Sequence, residues 1–148
     1  MKYCDALKQE REQHICPFCS LPPQHIIQES DFFYVTLARA PYVPHHILIV
    51  PKTHKIRMKD LSHDELDNLF DLIEKWTILL HAQHKNVDLF LKDCVVGETG
   101  KTIEHLHFHL IPDCQLVTAN GGEEREFLDD QSYGNYIIEI KETFMPSK

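Results

Sequence analysis

Three histidines occupy alternate positions in His105-Leu106-His107-Phe108-His109-Leu110-Ile111, and Pro112 closes the run. Strand geometry turns residues i, i+2 and i+4 to one face. Read as a strand, the run lines up three imidazoles over roughly 13 Å, at about 3.3 Å per residue. Leu106, Phe108 and Leu110 then point into a core. Read as a helix, the same residues scatter around the axis. The pattern commits this stretch, Glu104 to Ile111, to a half-buried β-strand with one chemically active face. Imidazole has the unperturbed pKa nearest neutrality, so such a row can act as base, nucleophile or metal ligand at working pH.

At 148 residues and 43% hydrophobic content, the chain is read as one domain over 1–148, long enough to bury a core. Its apolar runs reach only four or five residues, too short to span a bilayer. Met1-Lys2-Tyr3-Cys4-Asp5 lacks the apolar region of a secretory signal. Five cysteines (Cys4, Cys16, Cys19, Cys94 and Cys114) form an odd, sparse set unlike a disulfide framework. A reducing cytoplasm is the expected compartment. The net charge of −8 argues against nucleic acid as the main partner. It leaves room for a small anionic substrate. Lys52, Lys55, Arg57 and Lys101 lie near the motifs, much of the acid lies in 60–74 and 123–130, and local field governs a pocket.

Along the chain, Phe32 to Leu37 is rich in aromatic and β-branched residues and reads as a strand. Pro41 and Pro44 bracket a turn before a second strand, His46 to Val50. Ser62-His63-Asp64-Glu65 is a capping box, with Leu61 and Leu66 at the staple positions. Leu66, Leu69, Phe70, Ile73, Thr77 and Leu80 follow at helical spacing, bordered by Trp76, so an amphipathic helix runs from 63 to about 82. Val87 to Leu91 is a third strand, and Gly97-Glu98-Thr99-Gly100 a turn before the histidine strand. Thr118 to Ser132 reads as a polar loop, and Tyr136 to Ile140 as a last strand. The expected fold is α+β: a mainly antiparallel sheet with one long amphipathic helix.

Cys16-x-x-Cys19 has the spacing of two zinc thiolates. A redox pair of the same spacing needs a helix directly after its first cysteine to lower the thiol pKa. Here Pro22-Pro23 forbids a following helix. A tetrahedral site needs two further N or S ligands. Cys4, Cys94 and Cys114 read as buried small hydrophobes. His14, His25, His63, His81 and His84 belong to no constellation and are expected at the surface.

The histidine run, its lead-in Gly100-Lys101-Thr102-Ile103-Glu104, and Pro44-His45-His46-Ile47-Leu48-Ile49-Val50-Pro51-Lys52-Thr53-His54 together resemble the histidine triad (HIT) superfamily of nucleotide hydrolases and transferases. The resemblance covers about residues 14–112, leaving 113–148 as a variable C-terminal segment. It implies His107 as the nucleophile forming a nucleotidyl-imidazole intermediate. His109 would reach a phosphate or bridging oxygen, Thr102 would offer a hydroxyl to the α-phosphate, and His46 would orient the triad. Gly100 and Lys101 fall beside the phosphates. Zinc-bearing members imply His54 and His105 as partners of Cys16 and Cys19 on a structural Zn²⁺, with His45 an alternative to His54. The superfamily also implies a homodimer.

Three departures bear on substrate. Lys101 stands where many members have glutamine. The ribose-reading acidic or amide residue falls at Ala38, which cannot hydrogen-bond a sugar. The phosphate-holding amide falls near Cys94, or at Lys92 if two residues are inserted. The resulting reading is a hydrolase or nucleotidyl transferase cleaving a nucleoside phosphoanhydride or phosphoramidate. Its rivals are a non-catalytic nucleotide-binding scaffold, favoured by Ala38, and a metal-handling protein in which the whole triad binds metal.

Overall fold

The computed structural model describes residues 16–95, 103–115 and 125–147, with positions 2, 5, 8, 9, 12 and 13. Among them, five strands form one antiparallel sheet: β1 (Gln28–Glu29), β2 (Phe33–Leu37), β3 (Ile47–Pro51), β4 (Val87–Leu91) and β5 (Phe108–Pro112). Their spatial order is β1-β2-β3-β5-β4. Helices α1 (His63–His81) and α2 (Asp130–Phe144) also lie among the described residues. No described helix is long and apolar enough to cross a membrane.

The register follows from alternation. Ile47 pairs with Leu110, Leu48 with His109 and Ile49 with Phe108. Because side chains alternate across a strand, Ile47, Ile49, Phe108 and Leu110 share the face that packs on Leu69, Leu72, Trp76 and Leu80 of α1. Leu48 and Val50 turn to the other face and meet Phe18 and Ala38. His109, opposite Leu48, shares that second face. The ladder thus supports a helix-covered core behind and an open chemical face in front.

Helix α1 starts as its capping box dictates: the Glu65 N–H donates to Ser62 Oγ at 3.2 Å, and the Ser62 N–H to Glu65 Oε1 at 3.3 Å. Its buried stripe is rotated from the expected one. Trp76 lies fully buried at the centre, with Nε1–H donating to Gln28 Oε1 at 2.8 Å, while Phe70 is 60% exposed. The short strand β1 supplies that acceptor, and the indole cannot be buried without one.

The expected strand at Tyr136–Ile140 is a helix, so the described residues include a second long helix besides α1. Five apolar-rich residues suggested a strand, but Tyr133, Ile137, Ile140 and Phe144, spaced at helical period, are the buried set. Asp129 caps this helix by accepting the Ser132 N–H at 2.7 Å. The helix thus takes over the end of the segment read as a loop. The histidine strand is also shorter than expected. The ladder begins at Phe108, and His105 and His107 precede it. His105 is drawn toward the N-terminal cysteines, and the Leu106 N–H donates to Lys55 O at 2.6 Å, outside the ladder. Pro23 opens a single 3₁₀ turn to His25, which proline tolerates at a first turn.

Candidate functional site

The triad histidines divide into two kinds of surroundings. His105 is fully buried beneath the turn Cys16–Cys19, where the Cys19 N–H reaches Cys16 O at 3.4 Å. Its Nε2 lies 2.8 Å from Pro51 O. A carbonyl can only accept, so Nε2 carries the proton and Nδ1 keeps its lone pair. That Nδ1 faces Cys16 Sγ at 3.4 Å, Cys19 Sγ at 3.6 Å and His54 Nδ1 at 3.2 Å, and His54 Nδ1 lies 3.1 Å from Cys19 Sγ.

These four donor atoms lie within 4.8 Å of one another, a group that could hold a metal ion. Ligand bonds of ~2.05 Å for nitrogen and ~2.3 Å for sulfur give tetrahedral edges of about 3.3 Å (N–N) and 3.6 Å (N–S). The donor separations approximate those edges, so the residues fit such an ion. Partial burial and the neighbouring Cys16 sulfur push the Cys19 thiol up to about 11. A bound cation reverses that trend, since thiolates are the ligating form. His45, the other possible ligand, points elsewhere, with Nδ1 2.8 Å from His84 Nε2.

His107 and His109 sit side by side on the open face, with ring centroids 4.9 Å apart. Phe18 packs on His107 at 5.2 Å, and Phe90 on His109 at 5.7 Å. His107 Nδ1–H donates to His105 O at 2.7 Å, so in the neutral ring Nε2 is the unprotonated nitrogen. A second chain fixes the other ring. The Tyr42 N–H donates to His46 Nδ1 at 3.3 Å, so His46 Nε2 carries the proton and donates to His109 Nδ1 at 2.9 Å. His109 therefore presents Nε2–H outward. One imidazole offers a lone pair and its neighbour a donor.

Both rings of that second chain are held neutral. Burial first, then the charges of Arg125 and His107, push His46 down to about 3. Burial, His107, His46, Arg125 and Lys92 hold His109 well below its ordinary value. The cavity these groups border encloses about 240 Å³. Phe18, Leu21, Phe127 and Tyr133 give it apolar walls, and Arg39, Lys92 and Arg125 are cationic. No aspartate or glutamate is among its described lining residues, although the chain carries a net charge of −8.

Of the residues singled out from sequence, His46, His107 and His109 meet at this cavity, and Ala38 lines it. Lys92 lines it too, whereas Cys94 does not. Gly100, Lys101 and Thr102 lie outside the described residues, as do Cys4, His14 and the turn 97–100. Sequence reasoning missed Arg39, Arg125 and Tyr133. Arg39 follows β2, whereas Arg125 and Tyr133 approach through the segment before α2 and α2 itself, where only the run Tyr133, Ile137, Ile140, Phe144 carried a helical signal. His25 and His84, expected at the surface, are half-buried with partners: His25 packs on Tyr133 at 4.7 Å, and His84 bonds His45. Cys94 and Cys114 are half-buried rather than fully buried.

The family model described as HIT domain matches residues 21–116. The chain is 27% identical over 136 residues to an adenosine 5'-monophosphoramidase from Candida albicans, covering 86% of this chain and 90% of that protein. It is 30% identical over 94 residues to a bis(5'-adenosyl)-triphosphatase from Dictyostelium discoideum, covering 59% of this chain and 62% of that one. A Zn-bound histidine triad family protein from Mycobacterium smegmatis has a similar fold, with TM-score 0.61 and 19% identity, covering 82% of this chain and 89% of that one.

Proposed function

The chain belongs to the HIT family, and from that premise we propose that it is a nucleotide hydrolase acting at the α-phosphate through covalent nucleotidylation of His107. The observation that carries this reading is the opposed polarity of two adjacent rings: an unprotonated Nε2 on His107 and an Nε2–H on His109. The lone pair of His107 attacks the α-phosphorus, forming a P–N bond as the bond to the leaving oxygen breaks. His109 Nε2–H donates to the oxygen that gains charge, a preorganised contact of the kind that lowers transition-state energy. Water then attacks the phosphoramidate and releases the mononucleotide, returning the electron pair to His107. Splitting one hard displacement into two easier ones is the gain of covalent catalysis.

The relatives named above act on an adenosine 5'-monophosphoramidate or a bis-adenosyl triphosphate, by their names. Here the depressed His109 pKa favours the anhydride class. A phosphate departs as a stable anion, whereas an amine must be protonated as it leaves, and a neutral His109 offers a hydrogen bond more readily than a proton. Lys92 and Arg125 on the lining favour an anionic substrate, whereas the Arg39 guanidinium is ion-paired with Asp130. Thr102, Lys101 and Gly100 are proposed beside the phosphates from the family resemblance.

Cys16, Cys19, His54 and His105 are proposed as ligands of one structural Zn²⁺. The donor separations support this, as does the Zn-bound neighbour of similar fold. Such an ion would tie the N-terminal turn, and Phe18 with it, to the triad. A homodimer in the cytoplasm is proposed as well. Phe70, Ile78 and Leu89, each more than half exposed on α1 and the edge strand β4, support the pairing.

The test is stereochemical. A dinucleoside triphosphate chiral at an α-phosphorothioate, cleaved in ¹⁸O-water, should give retention of configuration at phosphorus. Inversion would refute the covalent route. Ala38, apolar and on the cavity wall, favours a second reading as a nucleotide-binding protein without turnover. Tight nucleotide binding with no product across phosphoramidates, dinucleoside polyphosphates and nucleotide sugars would establish it.

A further inference from the structure

His45 stands at φ 67°, in the left-handed region. Glycine enters that region freely, whereas a residue with a side chain is strained there. The turn it makes is what aims the next residue. His46 receives the Tyr42 N–H at 3.3 Å and reaches His109 at 2.9 Å. Rotating His45 into an extended conformation would swing the His46 ring away from both.

The His45 ring leaves the cavity side and meets a second set of partners. Its edge lies against the Phe144 ring, 5.0 Å between centroids, and Nε2 is 3.9 Å from Glu139 Oε1. Its Nδ1 is 2.8 Å from His84 Nε2, and His84 Nδ1 is 3.2 Å from Asp113 Oδ2. The Asp113 carboxylate also accepts the Asn86 N–H at 2.9 Å, the Lys85 N–H at 3.3 Å and the Asn86 side-chain amide at 3.2 Å. The protons are self-consistent along this chain. A carboxylate can only accept, so His84 Nδ1 carries a proton and His84 Nε2 accepts from His45 Nδ1–H. Asp113 directly follows β5, and His45 lies just before β3. These are the strands that carry His109 and follow His46.

We infer that Asp113, His84 and His45 form a brace that holds the turn before β3 in the left-handed conformation seating His46 against His109. His45 and His84 are then positioning residues for the hydrolysis proposed above, on which the kinetic readout of this inference rests. The brace acts through backbone conformation, on the side of the sheet away from the cavity.

The experiment compares the full-length protein with His84→Ala, His45→Gly and the double variant. The measurements are kcat and KM on the nucleotide the wild type turns over, and long-range ¹H–¹⁵N spectra of the imidazoles, which report their tautomers. Releasing ~1.4 kcal/mol of restraint on the turn corresponds to about a tenfold fall in kcat for His84→Ala, with KM within about twofold. In the His45→Gly background the same substitution should change kcat by less than about twofold, because glycine adopts φ 67° unaided. The spectra should lose the fixed His46–His109 tautomers in His84→Ala alone and keep them in both glycine variants. Unaltered kcat and spectra in His84→Ala, or an equal loss in both backgrounds, overturns the brace. If the wild type turns over no nucleotide, the spectra decide by themselves, so failure of the brace is distinguishable from failure of the hydrolase reading.

Discussion

Acid should unfold this protein partly through one buried ring, His46. Folding holds that imidazole neutral and pushes its pKa from an ordinary 6.5 down to about 3. The unfolded chain therefore binds a proton that the native state refuses, in the window from pH 6.5 down to about 3. Stability is intact above 6.5 and falls as the medium is acidified. Each pKa unit is worth ~1.36 kcal/mol, so His46 should cost about 2 kcal/mol between pH 7 and pH 5, and about 4 kcal/mol by pH 3. The comparison is with His46→Gln, which does not titrate and whose amide can still donate toward His109. Urea unfolding of both proteins at pH 7 and pH 5 gives the two acid losses. Groups distant from the substituted ring are common to both proteins and cancel in the difference. The wild type should lose about 2 kcal/mol more than the variant. Matching losses, within about 0.5 kcal/mol, would mean that His46 is not held neutral by its surroundings and would remove the basis for the tautomer chain.

Further outcomes follow from the same geometry. Carefully purified protein should contain one zinc per chain, and a strong chelator should sharply lower its melting temperature, because a closed N/S site contributes folding free energy directly. Metal well below one equivalent, with stability unaffected by chelator, would rule this out. Phe108→Ala should destabilise by ~3–5 kcal/mol, as expected for a core aromatic, since Phe108 is only 3% exposed against α1. His107→Asn, on the open face, should cost little stability and most of the turnover, and equal stability losses would contradict the face assignment. Ala38→Asp should introduce a preference for ribonucleotides over 2',3'-dideoxynucleotides, read as a ratio of kcat/KM. No shift in that ratio would show that position 38 does not face the sugar.

What the sequence determined by itself is local and periodic. Alternation in 105–111 assigned Leu106, Phe108 and Leu110 to the core, where all three are buried. The Ser62–Glu65 box located the start of α1, and Val87–Leu91 was legible to its end residues. The Cys16/Cys19 spacing suggested half a metal site, and family resemblance supplied His54 and His105. Periodicity failed where a short apolar run fitted two periods, as at Tyr136–Ile140. It also misjudged the rotation of α1, because Trp76 is centred by its bond to Gln28, 48 positions away.

Only tertiary structure decided which histidines meet. His46 and His109 are 63 positions apart and touch because the β3–β5 register and a left-handed turn at His45 bring them within 2.9 Å. The same is true of each ring's tautomer, which is set by carbonyls and N–H groups that folding delivers from Pro51, His105 and Tyr42. A sequence states that an imidazole is present. Whether it offers a lone pair or a proton depends on the one backbone group it faces, and that is a property of the fold.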